Sequence, residues 1–318
     1  MSIKISCFGG RIGWNLKKRF PKLAAEIYIQ LNFLLRRRYT QKYIQYFLDE
    51  EDVPQPLQIN IETINRCNST CSFCPANKNN DQRPFAKISE ETFHKIIDDL
   101  KKWKYQGMVS LYVNNEPFVD NRIVSFYKYA KEHLPNCKLK LFTNGILMDK
   151  EKFKEIIPYV DYVTINNYGE TMKLHQKVEE VITYIRTNEN DFRDKQIRVN
   201  IRYIRDILTN RAGEAPNKKA GLKVITEPCL FPYTDLTVFA NGNAGLCCND
   251  ATEKTNLGNV MEESLQQIWE NKGQGLRYVT IRKKIANGRD ALDFCKHCDT
   301  LDSGSRVKII SRMKSERQ

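Results

Sequence analysis

Three cysteines fall within one eight-residue stretch, Cys67-Asn68-Ser69-Thr70-Cys71-Ser72-Phe73-Cys74. They are spaced four and then three apart, so a tight loop can turn three thiolates toward one centre. The loop supplies three ligands and not four. A cubane [4Fe–4S] cluster has four irons and normally takes four cysteines. Three local thiolates leave one iron open to a small molecule, as an open metal position suits catalysis. A zinc site or a redox pair uses the same residue types, and spacing alone leaves those alternatives open.

With the aromatic Phe73 before its last cysteine, this C-x3-C-x2-C stretch resembles the signature of the radical S-adenosylmethionine (SAM) superfamily. The resemblance implies that the amino and carboxylate groups of SAM chelate the open iron. Reduction then splits SAM into methionine and a 5′-deoxyadenosyl radical. Cys67, Cys71 and Cys74 are thereby the expected cluster ligands, with Phe73 beside the SAM.

The chain has 318 residues, enough for one large domain and a smaller one. Hydrophobic content of 41% and charged content of 28% suit a globular chain rather than a disordered one. No apolar run reaches the length of a membrane span, and Met1 to Gly10 lack the features of a signal peptide. Ten cysteines grouped as C-x3-C-x2-C and C-x2-C read as metal ligation, not a secreted disulfide frame, so a reducing, cytoplasmic setting is expected. The formal charge is +13. Two thiolate-held clusters would bring it to roughly +10. Such a surface suits an acidic donor of the flavodoxin or ferredoxin type, a phosphorylated substrate or an anionic membrane face. No nucleic-acid-binding module is visible.

Residues 1–56 read as a helical N-terminal extension. Its pattern is helical from Asn15 to Leu48, with Pro21 as a break or start. Leu23, Ile27, Leu31, Leu34 and Leu35 recur at helical spacing, flanked by Lys17-Lys18-Arg19 and Arg36-Arg37-Arg38. A basic amphipathic helix can lie on a membrane; packing against the rest of the fold is the expectation here. Asp49 to Asp52, Pro54 and Pro56 read as a linker.

Residues 57–226 alternate strand and helix. Leu57–Ile64 is the first strand and ends just before the cysteine loop. Ser89, Glu90 and Glu91 open a helix with Phe93, Ile96, Ile97, Leu100 and Trp103 on one face. Met108–Val113, Lys138–Phe142, Tyr162–Ile165 and the stretch Ile197–Tyr203 are further strands. In the last of these, Arg198, Asn200 and Arg202 share a face, which implies a polar cavity. Strand–helix alternation implies a parallel sheet with crossover helices. By resemblance the fold is α/β, the partial (β/α)6 TIM-like barrel of radical SAM enzymes, open on one side. After the second strand the family carries a Gly-Gly-Glu-like turn that holds the SAM amino group. Here Asn114-Asn115-Glu116 replaces it, keeping the glutamate without the glycines. Thr143-Asn144-Gly145 also resembles the family pattern. Asn115, Glu116, Thr143 and Asn144 are therefore the expected SAM contacts. Asn210-Arg211-Ala212-Gly213 resembles a stretch of family members that carry a short C-terminal cluster domain. Arg211 and Arg202 are the expected substrate-orienting residues, and a surface-loop role for Arg211 stays open.

Residues 227–303 hold a second cysteine set. Thr234–Phe239 and Asn243–Leu246 flank Asn241-Gly242, a strong hairpin signal. This region resembles the twitch domain, a shortened SPASM domain, of α+β type. The resemblance implies an auxiliary [4Fe–4S] cluster on Cys229, Cys247, Cys295 and Cys298, with Cys248 as an alternative to Cys247. A structural zinc on the same thiolates stays open. Cys7, Cys137 and Cys248 are scattered, too few for a third cluster. His297 reads as an outer neighbour rather than a ligand, and residues 304–318 as a basic tail.

The whole pattern resembles the twitch-containing dehydrogenases of aminocyclitol biosynthesis. It implies an enzyme using SAM and two [4Fe–4S] clusters to oxidise a secondary alcohol of a sugar or cyclitol, the auxiliary cluster accepting the leftover electron. A maturase that crosslinks or epimerises a ribosomal peptide is the alternative, and a non-catalytic electron carrier is the third.

Overall fold

The strand–helix alternation of the sequence gives one curled sheet with helices on its outside. The computed structural model describes residues 3–7, 10–49, 53–218, 225–271 and 277–300, apart from the side chains of residues 32–33, 35–39, 42 and 49. Its strands are β1 (Lys4–Cys7), β2 (Gln58–Ile61), β3 (Met108–Ser110), β4 (Lys138–Thr143), β5 (Tyr162–Gly169), β6 (Gln196–Tyr203), β7 (Asp235–Val238), β8 (Asn243–Gly245) and β9 (Asn256–Asn259). They are ordered β1-β6-β5-β4-β3-β2-β7-β8-β9. All pairings from β1 across to β7 are parallel, and β8 and β9 add antiparallel pairs at the end. The helices are α1 (Gly10–Arg19), α2 (Pro21–Asp49), α3 (Glu90–Lys102), α4 (Ile123–His133), α5 (Lys150–Ile156), α6 (Gln176–Thr187), α7 (Phe231–Thr234), α8 (Leu265–Glu270), α9 (Arg277–Asn287) and α10 (Asp293–Lys296).

Side-chain alternation decides which face of the sheet is which. Ile59, Ile61, Val109, Leu139, Leu141, Val163, Ile165 and Val199 are buried in the core with the helices. Their neighbours Gln58, Asn60, Ser110, Lys140, Thr164, Asn166, Arg198 and Asn200 line an internal cavity. Helix α3 shows the outer layer's logic. Ser89 caps it by accepting from the Thr92 amide, and Glu90 and Glu91 favour its positive end. Phe93, Ile96, Ile97 and Leu100 then fall on one buried face, each contributing roughly 1.5–3 kcal/mol of burial.

Several sequence expectations are corrected. The N-terminal segment is not purely helical: β1 precedes α1 and pairs in parallel with β6, so it adds a strand to the barrel edge. Four exposed or half-exposed residues gave no alternation to read there. Helix α2 does not pack through the expected stripe. Leu23, Ile27, Leu31 and Leu34 are exposed, and Ala25, Ile29, Tyr43, Ile44 and Phe47 are buried instead. The side chains of Leu35 and of Arg36, Arg37 and Arg38 lie outside the described residues, as do residues 50–52 of the linker and the tail 304–318. Strand β5 runs on through Asn166, Asn167 and Tyr168, which pair with Asn200, Ile201 and Arg202; a sheet neighbour overrides the low strand propensity of asparagine. Strand β9 had no signal, because Asn256-Leu257-Gly258-Asn259 reads as a turn.

Strand β7 does more than begin a hairpin. It pairs in parallel with β2 on one edge and antiparallel with β8 on the other. The second cysteine region is thus joined to the barrel by sheet hydrogen bonds.

Candidate active site

The carboxyl ends of β2 to β6 open into a cavity of about 600 Å3. Cys67, Cys71 and Cys74 line it, together with Phe73, Asn115, Glu116, Thr143, Asn144, Arg202 and Arg211. Ten residues singled out from scattered stretches of the sequence therefore share one cavity.

The cysteine loop is held by its own polar side chains. Asn77 donates from Nδ2 to the carbonyls of Cys71 (3.0 Å) and Cys74 (2.8 Å). The Ser69 amide lies 3.4 Å from the Cys67 sulfur, and its hydroxyl 3.2 Å from the Cys71 sulfur. Phe73 packs against Tyr168 with ring centroids 5.5 Å apart. Burial pushes the Cys67 thiol up to about 12 and the Cys71 thiol to about 11, and the neighbouring thiols add to both. Burial likewise raises Cys74. Three sulfurs so desolvated are poor thiolates alone, and a cationic iron core is what such a set accommodates.

Glu116 sits fully enclosed beside them. Its Oε1 accepts from the Thr143 hydroxyl (2.7 Å) and the Phe118 amide (3.3 Å), and its Oε2 from the Asn144 amide (2.7 Å). Burial raises its carboxyl to about 7, against those hydrogen bonds. Asn144 in turn donates to Asn68 at 2.8 Å, inside the cysteine loop. Gly145 makes this approach possible. Its φ is +78°, and a Cβ there would meet Val178 at 2.6 Å and Ile165 at 2.9 Å. The Nδ2 atoms of Asn60 and Asn115 are buried without a partner among the described residues. Orphaned donors of this kind call for a bound group.

Arg211 clamps the far wall. It donates to Asn114 Oδ1 (2.5 Å) and to the Cys248 carbonyl (2.6 Å), and its Nε is buried with no partner among the described residues. Arg211 and Ala212 both hold positive φ, 50° and 57°, ahead of Gly213 at 89°. Backbone strain of this kind is kept where surrounding structure fixes it.

The second cysteine group lies apart from this cavity. Cys247, Cys295 and Cys298 are buried and Cys229 half-buried. Burial raises Cys247, and Cys248, Cys229, Cys298 and Cys295 raise it further. Arg289, buried at 2% exposure, stands among Cys229, Cys298, Cys295 and Cys247. Burial opposes its charge, but these four sulfurs outweigh that and hold it protonated. It donates to the carbonyls of Glu227 (2.8 Å) and Cys298 (3.2 Å). A buried cation amid four cysteines fits an anionic cluster. Cys248 also lines the main cavity.

Among the described residues no three His, Cys, Asp or Glu side chains close tightly enough to hold one metal ion.

Sequence reasoning found the Arg198–Arg202 face but missed Tyr112, Tyr168, Asn249 and Arg289. Tyr112 read as a strand residue, Tyr168 fell just beyond the expected end of its strand, and Arg289 lay in an unpatterned basic stretch. No local signal marks them, since a distant strand or loop brings each to its site.

Residues 61–189 match the radical SAM superfamily, and residues 229–299 match an iron–sulfur cluster-binding domain, SPASM. The chain is 22% identical over 246 residues to the S-adenosyl-L-methionine-dependent 2-deoxy-scyllo-inosamine dehydrogenase of Niallia circulans, covering 76% of this chain and 92% of that one. Its fold is similar to that of BtrN in complex with AdoMet and 2-DOIA, with a TM-score of 0.65, 20% identity and coverage of 78% and 94%. It is also similar to anSMEcpe with bound AdoMet, with a TM-score of 0.50, 14% identity and coverage of 83% and 94%.

Proposed function

We propose that this chain, a radical SAM enzyme with a SPASM-type cluster domain, oxidises a secondary alcohol on a cyclitol or sugar ring. SAM, a [4Fe–4S] cluster and further iron–sulfur centres are its cofactors. Cys67, Cys71 and Cys74 would hold the first cluster, and Cys229, Cys247, Cys295 and Cys298 the auxiliary one. When bound, these groups supply a 5′-deoxyadenosyl radical that removes a carbon-bound hydrogen, and an acceptor for the electron left behind.

The observation that carries the substrate class is the lining of the cavity. Asn60, Asn114, Asn166, Asn200 and Asn249 face it with Tyr112 and Tyr168. Side-chain amides offer donors and acceptors together, which is what a ring of hydroxyl groups needs. Burial raises both phenols well above their ordinary range, so they stay protonated and can donate. The similarity to a dehydrogenase of 2-deoxy-scyllo-inosamine supports the same class. Glu116 and nearby backbone carbonyls suit the SAM ammonium, and the unpartnered Asn115 amide N–H suits its carboxylate, with Phe73, Thr143 and Asn144 shaping that end. Arg202 and the unpaired Nε of Arg211 suit the substrate oxygen. The division into a barrel at 57–226 and a cluster domain at 227–303 belongs to this reading, and the two matched spans fall inside those limits.

None of the ten cysteines is in a disulfide, which suits a reducing cytoplasm. The charge of +13 suits an acidic flavodoxin- or ferredoxin-type donor.

The test is anaerobic turnover with SAM, reductant and a panel of aminocyclitols and sugars. One panel member should yield a product lighter by two hydrogens, with one 5′-deoxyadenosine formed per product. SAM cleavage without net oxidation of any member would reject the reading, and crosslinking of a peptide would replace it.

A further inference from the structure

Helix α2 is apolar on two opposite faces. Ala25, Ile29, Tyr43, Ile44 and Phe47 turn into the protein, while Leu23, Ile27, Leu31 and Leu34 stand 42–71% exposed. The exposed four follow at i, i+4, i+8 and i+11, so they form a continuous ridge about 17 Å long. Ile12 (84%) and Phe20 (58%) extend it onto α1 and the elbow between the helices. Of the large apolar side chains exposed among the described residues, eight of eleven lie between Ile5 and Leu34. Single exposed apolar residues are ordinary, but a concentration of this kind marks a surface that something covers.

Charge identifies the occupant. Residues 10–34 carry Arg11, Lys17, Lys18, Arg19 and Lys22 against one acid, Glu26. Arg11, Lys18, Arg19 and Lys22 are exposed, beside or on the elbow that carries Phe20. An apolar ridge bordered by cations is the pattern of a helix that lies in the interface of an anionic bilayer. A second copy of the same chain would bring like charges together around the ridge. No helix among the described residues is long and apolar enough to cross a membrane, so the contact is with a surface.

The ridge is also anchored to the catalytic end. Trp14 packs edge-on against Tyr203 at 5.5 Å, and Lys17 pairs with Asp206. Both partners lie within four residues of Arg202, which lines the cavity. We propose that this N-terminal face docks the enzyme on an anionic phospholipid surface, with the Leu23–Leu34 ridge inserted and the basic residues of α1 and the elbow on the headgroups. This proposal stands apart from the choice of substrate.

The experiment is co-sedimentation with phosphatidylcholine vesicles, with and without about 30% phosphatidylserine. Wild-type protein should pellet with the anionic vesicles, stay in solution with the neutral ones and be released by high salt. The triple variant L23Q/I27Q/L31Q should partition at least tenfold less, roughly the loss expected from three apolar side chains, and keep its circular dichroism and SAM cleavage. K18E/R19E/K22E should lose the preference for phosphatidylserine. The proposal fails if wild type ignores anionic vesicles, if it binds both vesicle types alike, or if the triple variant binds as wild type does. It fails in favour of self-association if light scattering shows a wild-type dimer that L23Q/I27Q/L31Q converts to monomer.

Discussion

Glu116 concentrates the site's polar chemistry into one side chain. It takes hydrogen bonds from Thr143, Asn144 and Phe118, and so fixes the turn that reaches the cysteine loop. Burial raises its carboxyl from 4.5 to about 7. The folded state therefore prefers the protonated acid. The stability it contributes is complete below pH 4.5 and is lost as pH rises through about 7. Relative to Glu116→Gln, the wild type should lose on the order of 2–3 kcal/mol across that window. Urea unfolding of anaerobic, SAM-free protein as a function of pH measures the difference. Equal slopes for the two proteins would show that the carboxyl is not held in its acid form. The glutamate was legible from sequence because a family turn leads to it. Its bond network was not, because Thr143 and Asn144 are brought to it only by the β3–β4 pairing.

At the scale of elements, the readable parts are those whose burial is one-sided. Helix α3 was legible because its apolar residues share one face and its cap and charges agree with that. Helix α2 misled because it is apolar on both sides, and periodicity alone does not say which side finds a partner. Strand β1 was illegible for the opposite reason, having no fully buried residue. Its role is edge closure: it pairs with β6, and Ser6 donates to Asn200 Oδ1 at 2.8 Å, whose amide donates to Asn166 at 2.9 Å. Removing residues 1–9 should expose the edge of β6 and unseat that chain of amides. We expect a lower melting temperature, greater aggregation and more 5′-deoxyadenosine formed per product, read by thermal melts and product counting. An unchanged ratio would show that β1 has no part in shaping the cavity.

For the whole molecule, the contacts across residues 210–218 and the C-terminal cysteines matter most. Asn210 and Asp299 exchange hydrogen bonds at 2.6 and 3.0 Å, Asn210 donates to the His297 carbonyl, and Lys218 pairs with Asp299. Lys218 and Asp299 are almost fully enclosed, at 5% and 0% side-chain exposure. Removing one member of such a pair leaves a buried charge unmatched. Asp299→Ala should therefore cost about 3–5 kcal/mol and release the auxiliary iron before the other. Iron content and denaturation midpoints check this; a variant with full iron and unshifted midpoint would contradict it.

Strand β7 is hydrogen-bonded on both edges, to β2 just ahead of the first thiols and to β8 just ahead of Cys247. The sheet consequently sets where Cys247 stands from the first three thiols as the chain folds. Drawing that sulfur away means unzipping strands, so a charge arriving through it crosses a span the fold has already laid down.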